Sequence, residues 1–288
     1  ATREQFQKGG RAYPLTNAVP IEARYTLRNA TVFDEFPTWR SIMLQPIEER
    51  RRLFADRELR QKLRFEAVED PKPSGAFSKH WDKVYILTPA LEQNRHLKGL
   101  SVAEFAARQG KDILDAFLDL SLEEDLQTEF IHANTNGDDD AVGAILANPF
   151  VVIGMSDAGA HVAYDAEFGY CTNTIGKYVR ERGDLSLEYA VMKLTGMIAH
   201  LYGLTDRGTI APGKNADICI FDFDTIGPRE PEVAYDFPGG TRRMIQHANG
   251  IHYTIVNGVP VIEGSEHTGE MPGRIVRNRL AAQAAATR

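Results

Sequence analysis

The stretch Val151-Val152-Ile153-Gly154-Met155-Ser156-Asp157, which runs on through Ala-Gly-Ala to His161, constrains the fold more than any other part of the chain. Three consecutive β-branched residues bounded by Gly and Asp read as a strand buried on both faces, the habit of parallel sheets covered by helices. Such a strand puts Asp157 at its C-terminal end, where α/β sheets and barrels gather ligands and catalytic groups. Ser-Asp-Ala-Gly is also ordinary turn chemistry, with the aspartate accepting from nearby N–H groups. From the stretch alone, the turn is the favoured reading.

Around it, strands and helices alternate through the first two hundred residues. Residues 11–16, 83–87, 128–132 and 151–154 read as strands, and residues 47–54, 57–68 and 141–147 as helices. Ser101 with Glu104 three residues later spells a capping box, so a helix starts there and ends near Gly110; Ile113, Leu114, Phe117 and Leu118 carry the next one. Leu187, Ala190, Val191, Leu194, Met197, Ile198 and Leu201 fall on one face behind Ser186 as N-cap, with Gly203 just past the end. Alternation of this kind implies parallel βα units. From Gly208 the chain becomes turn-rich and strand-rich, with a strand over residues 216–222 and a hairpin through Asn257-Gly258. A boundary is therefore placed near Thr205, giving residues 1–204 as an α/β domain and residues 205–288 as a small β domain with the C-terminal tail.

The chain has 288 residues, 43% of them hydrophobic and 25% charged, enough to bury a large core. A formal net charge of −7 gives no footprint for nucleic acid or an anionic membrane, and the basic clusters Arg50-Arg51-Arg52 and Arg242-Arg243 are short and balanced by acids. Two cysteines, Cys171 and Cys219, argue against a disulfide framework or a cysteine-based zinc site, and a cytoplasmic location is expected. No stretch reaches the roughly 18 apolar residues of a membrane span.

Three segments, in order, carry a resemblance: GMSDAGAH at 154–161, the run from YVRERG to ICIFD at 178–222, and VNGVPVIEGSEHTGEMPGRIVR at 256–277. Together they resemble the C-terminal part of an amidohydrolase, and most closely the branch of the N-acyl-D-amino-acid deacylases, or D-aminoacylases. The resemblance implies the C-terminal portion of a (β/α)8 barrel metal-dependent hydrolase with a small β-sandwich beside it. Gly208, Gly213 and Asp217 then belong to the small domain as turn and packing residues. It implies zinc, one or two ions, as cofactor and an N-acyl amino acid or related amide as the small-molecule substrate. Asp157 matches the aspartate that ends the last barrel strand and is read as general acid/base and as a weak metal ligand. Amide hydrolysis needs a metal to acidify water and polarise the carbonyl, and a carboxylate to carry the proton to the leaving nitrogen. His161, on the same loop, is read as a substrate contact, with a backbone-bonded loop histidine as the plainer alternative. Ala158, Gly159 and Ala160 depart from the bulkier residue and proline of related loops, which bears on substrate preference.

No His-x-His pair occurs, and the eight histidines are scattered. His132 ends a strand candidate, and the reading preferred for it is a satisfied structural histidine. Arg242 and Arg243 are candidates for gripping a substrate carboxylate by charge and by their place in a glycine-rich loop, where most such arginines are solvated. With about four barrel-type strands, the chain does not close an eight-stranded barrel. The remaining zinc ligands are therefore expected upstream of Ala1, and the 288-residue chain alone is expected to be inactive. The alternatives are a cyclic-amide hydrolase of the hydantoinase or dihydroorotase kind, and a non-catalytic half-barrel whose exposed edge needs a partner chain to cover it. Sequencing the DNA upstream of Ala1 separates a fragment of a zinc enzyme from the half-barrel: an open frame with a His-x-His strand is expected, and a start codon immediately before Ala1 would favour the half-barrel.

Overall fold

Local chemistry sets the helices where the sequence puts them. Ser101 accepts from the Glu104 N–H at 3.1 Å while the Glu104 carboxylate accepts from the Ser101 N–H at 2.9 Å, so the capping box forms and opens the helix Val102–Gln109. Gly110 closes that helix at φ 61°, a left-handed conformation that glycine adopts without strain. Asp112 caps the next helix, Ile113–Glu123, whose Leu114, Phe117 and Leu118 are buried. The two charged stretches form Ile47–Ala55 and Arg57–Arg64, the second widening into a π-helical turn at Phe65–Glu69. The structure is a computed structural model that describes residues 2–10, 12–156, 158, 162–163 and 167–277.

The chain divides into two compact units, Ile21–Thr135 and Ala1–Pro20 with Asn136–Arg288. In the first, three strands run in the order Ile21–Tyr25, Glu129–Thr135, Val84–Thr88, and the central strand is antiparallel to both neighbours. The expectation of parallel βα units at residues 83–87 and 128–132 is thus corrected. Alternation of strand and helix patterns fixes element type but not strand direction, and Ile21–Tyr25, which the sequence patterns assign to no element, supplies an antiparallel neighbour. An aromatic cluster fills the core: Phe33 stacks on Trp39 with ring centroids 4.2 Å apart, and Phe117 lies 4.6 Å from Phe130 and 5.1 Å from Trp81. Between helices, Arg60 pairs with Asp115 at 2.9 Å and Asp119 at 2.8 Å, and Arg64 with Asp112 at 3.0 Å and Asp115 at 2.8 Å.

In the second unit, the strand Leu15–Thr16 pairs in parallel with Val152–Ile153. Ala18, Val142, Leu146, Ile153, Tyr178, Val179, Leu185 and Ala190 form its core. The helix expected as one piece from Leu187 to Leu201 is two, Leu187–Leu194 and Gly196–Leu201, broken at Thr195 with φ −128° and ψ −81°. The Thr195 hydroxyl donates to the Val191 carbonyl at 2.7 Å, and a Cβ on Gly196 would lie 3.3 Å from the Gly208 carbonyl oxygen, so the break lets a later loop approach. The helical run Tyr170–Asn173 and Thr174–Glu181, the latter π-helical, carries no capping signature and escapes the sequence reading.

Beyond residue 204 the strand-rich character holds, and every described ladder there is antiparallel. Four strands lie in the order Glu266–His267, Val259–Glu263, Ile251–Val256, Ile218–Phe221, and Glu232–Phe237 pairs with Thr241–Ile245. Asn257 and Gly258 both take positive φ, 49° and 81°, as a two-residue hairpin turn requires. Among the described residues no helix is long and apolar enough to cross a membrane.

Candidate functional site

Leu15 and Thr16 lie opposite Val152 and Ile153 in a short parallel ladder. The Val152 N–H donates to the Pro14 carbonyl at 2.9 Å and the Gly154 N–H to the Thr16 carbonyl at 3.3 Å. Val152 and Ile153 are buried, as the β-branched run predicts. The two strands run the same way, so their C-terminal ends emerge side by side and set Asn17 next to the segment Gly154–Ser156. Asp157 and His161, the residues the sequence singles out, lie outside the described residues.

Ser156, which precedes Asp157, and Val162, which follows His161, are among the described residues. Asn17 is fully buried; its Nδ2 donates to the Ser156 carbonyl at 3.4 Å, and its Oδ1 accepts from the Val19 N–H at 3.2 Å. Two further asparagines grip the same backbone. Asn136 donates to the carbonyls of Asn17 and Val19 at 3.2 and 3.3 Å, and Asn173 to that of Ala18 at 2.7 Å. The Ser156 hydroxyl accepts from the Ala158 N–H at 3.2 Å. Farther along, the Met244 N–H donates to the Val162 carbonyl at 2.6 Å, and Gln246 accepts from the Gly169 N–H at 2.8 Å while donating to the Arg229 carbonyl at 2.9 Å. Gly169 must be glycine for that approach, because a Cβ there would meet the Pro228 Cβ at 2.5 Å. The three asparagines give no periodic signal, and Asn17 and Ser156 are 139 residues apart, so sequence reasoning misses them.

The remaining candidates fall elsewhere. His132, in the unit Ile21–Thr135, is fully buried; its Nε2 bonds the Ser78 hydroxyl at 2.8 Å and its ring lies 4.9 Å from that of Phe77. Burial above all, with the charges of His80 and Lys83 adding, pushes it down to about 4, so the ring is neutral at pH 7 and acts as a core residue. Arg242 and Arg243 lie on the strand Thr241–Ile245, not in a glycine-rich loop. Arg243 forks onto Asp236 at 2.6 and 2.7 Å. Cys171 and Cys219 are free thiols. Among the described residues no group of three or more His, Cys, Asp or Glu side chains is placed to hold a metal ion, so these residues do not by themselves fit a zinc site.

Residues 25–262 match the model of the Amidohydrolase family. The chain belongs to the amidohydrolase family. This amidohydrolase is 33% identical over 183 residues to N-acyl-D-glutamate deacylase of Alcaligenes xylosoxydans xylosoxydans, covering 62% of this chain and 33% of that protein. It is 33% identical over 114 residues to D-aminoacylase of the same organism, covering 40% of this chain and 22% of that protein. Among solved structures it is similar to N-acyl-D-glutamate deacylase from Bordetella bronchiseptica, complexed with zinc and a phosphonate inhibitor, at 23% identity and TM-score 0.49, covering 96% of this chain and 44% of that one. The chain thus spans less than half the length of these relatives.

Lys193 anchors the approach to the loop. It is fully buried, and its Nζ donates at 2.6 Å to the carbonyl of Asn148, the residue whose side chain accepts from the Phe150 N–H just before the strand. Burial pushes Lys193 down to about 8, whereas an unfolded lysine holds its proton to about 10.4. Between those values the unfolded chain binds more protons than the folded one, so stability rises as pH is raised through that window and is lowest below it. The urea midpoint is expected to climb from pH 8 to pH 10, and this climb is expected to vanish in Lys193→Met; an unchanged profile in the variant would remove Lys193 as its source.

Proposed function

We propose that the amidohydrolase is a zinc-dependent deacylase that hydrolyses the amide bond of N-acyl-D-amino acids, with Asp157 as general acid/base and His161 as a substrate contact. The observation that carries the reading is the parallel ladder at Val152–Ile153, whose strand runs out through Ser156, the residue next to Asp157. Its family membership and its similarity to N-acyl-D-glutamate deacylase and D-aminoacylase support the reaction class.

Zinc supplies Lewis acidity when bound in such enzymes, and the described residues do not gather its ligands. The chain's own contribution is proton transfer. The Asp157 carboxylate takes a proton from the attacking water and returns it to the nitrogen of the departing amine, so that the amine leaves neutral and the acyl group leaves as a carboxylic acid. Transfer of this kind is worth on the order of 10²–10⁴-fold in rate. Residues 1–204 are read as part of the catalytic barrel and residues 205–288 as the small β domain.

In the protein encoded by the complete reading frame, Asp157→Asn is expected to lower kcat on N-acetyl-D-glutamate, N-acetyl-D-aspartate or an apolar N-acetyl-D-amino acid by about 10²-fold or more. Zinc content and the thermal melting curve are expected to stay unchanged. Surviving activity would remove Asp157 from the chemistry. Turnover of dihydroorotate or a hydantoin in place of the linear amides would overturn the deacylase reading in favour of a cyclic-amide hydrolase.

A further inference from the structure

We infer that Asn17 is a positioning residue for the proposed hydrolysis, holding the backbone of Ser156, the residue that precedes Asp157 in the chain. The inference rests on the reading of Asp157 as general acid/base. Four features of the structure carry it.

Asn17 is the first residue after a strand and is nevertheless fully buried. A buried amide is costly unless its donors and acceptors are engaged. Its oxygen takes the Val19 N–H, and its nitrogen reaches the Ser156 carbonyl, so one side chain joins the ends of both strands of the parallel ladder. The Thr16 carbonyl reinforces the link by accepting from the N–H groups of Gly154 and Met155 at 3.3 and 3.4 Å.

The backbone on either side of Asn17 is itself immobilised. Asn136 and Asn173 donate three side-chain hydrogen bonds to the carbonyls of Asn17, Ala18 and Val19. Asn136 reaches them from a left-handed backbone conformation, φ 56°, which asparagine tolerates better than most residues. The helical residue Asn173 does so from the end of the run Tyr170–Asn173. The clamp therefore ties Ser156, Asn136 and the helical residue Asn173 to one short segment, Asn17 to Val19.

At 3.4 Å the Asn17 to Ser156 bond is long for an N–H···O contact; it is part-buried, with Asn17 at its donor end fully buried. Its loss would shift a backbone anchor by a fraction of an ångström, and misplacement on the order of 1 Å costs about 10²-fold in catalysis.

The test is a double-mutant cycle in the protein encoded by the complete reading frame, assayed with whichever N-acetyl-D-amino acid it turns over best. Asn17→Asp keeps the side chain's shape and its acceptor but replaces the donor to Ser156 with a second oxygen. It is expected to lower kcat by about 10- to 100-fold with KM changed by less than about threefold. On an Asp157→Asn background the same substitution is expected to change kcat by less than about twofold, because residues that act through one group are not additive. Should Asn17→Asp fail to fold, Asn136→Gly loosens the same backbone while keeping the left-handed conformation, and the same pattern is expected of it. A loss of kcat that is equally large with Asp157 present or absent would make Asn17 merely structural and overturn the inference, as would an unchanged kcat in Asn17→Asp. If Asp157→Asn alone is fully active, it is the reading of Asp157 that fails, and the inference falls with it.

Discussion

Four residues of parallel ladder, Leu15–Thr16 against Val152–Ile153, are the constraint on which the candidate site depends. Parallel pairing makes two strand ends emerge on the same side, and a chain separation of more than 130 residues is closed there. Each of the surrounding contacts presupposes that pairing. Asn17 reaches Ser156 because both lie just beyond the ladder; Asn173 and Asn136 reach the backbone of Asn17 to Val19 because it is held beside them. Burial of Ile153 among Val142, Leu146, Tyr178 and Ala190 supplies the apolar driving force for the strand, at roughly 1.5–3 kcal/mol for a fully buried side chain of this size.

The elements with a complete local signal were legible. The capping box at Ser101, the left-handed Gly110, the hairpin at Asn257-Gly258 and the N-cap at Ser186 all appear in the structure as the residues spell them. Strand direction was not legible, because nothing within residues 83–87 or 128–132 records which neighbour each strand will meet. The antiparallel sheet around Glu129–Thr135 follows from its pairing with Ile21–Tyr25 and Val84–Thr88, a tertiary outcome. Thr195 broke a helix whose apolar periodicity ran through it, because the close approach of Gly208 is likewise invisible to periodicity.

The site was legible in part for the same reason. A β-branched run ending in Ser-Asp announces a buried strand and its exit, and the three ordered segments resemble the amidohydrolases, the family to which the chain belongs. The supports of that exit were not announced. Asn17, Asn136 and Asn173 are polar residues in turns and a short helix, where asparagine is ordinary, and only the fold gives them a common target. Lys193 sits on a helix face that reads as plain amphipathic sequence, yet its ammonium is buried against the Asn148 carbonyl. His132, which ends a strand candidate in the sequence, lies inside the strand Glu129–Thr135 and is a neutral core residue bonded to Ser78.

Residue-resolved amide hydrogen exchange at Val152 and Gly154 tests the ladder most directly, since their N–H groups donate to the Pro14 and Thr16 carbonyls. The expected result is protection of both amides comparable to that of the core helices, and its loss in a variant with Pro in place of Val152, which has no N–H to give. Exchange of Val152 and Gly154 at the rate of an unstructured chain would contradict the parallel pairing and, with it, the placement of Asn17 beside Ser156.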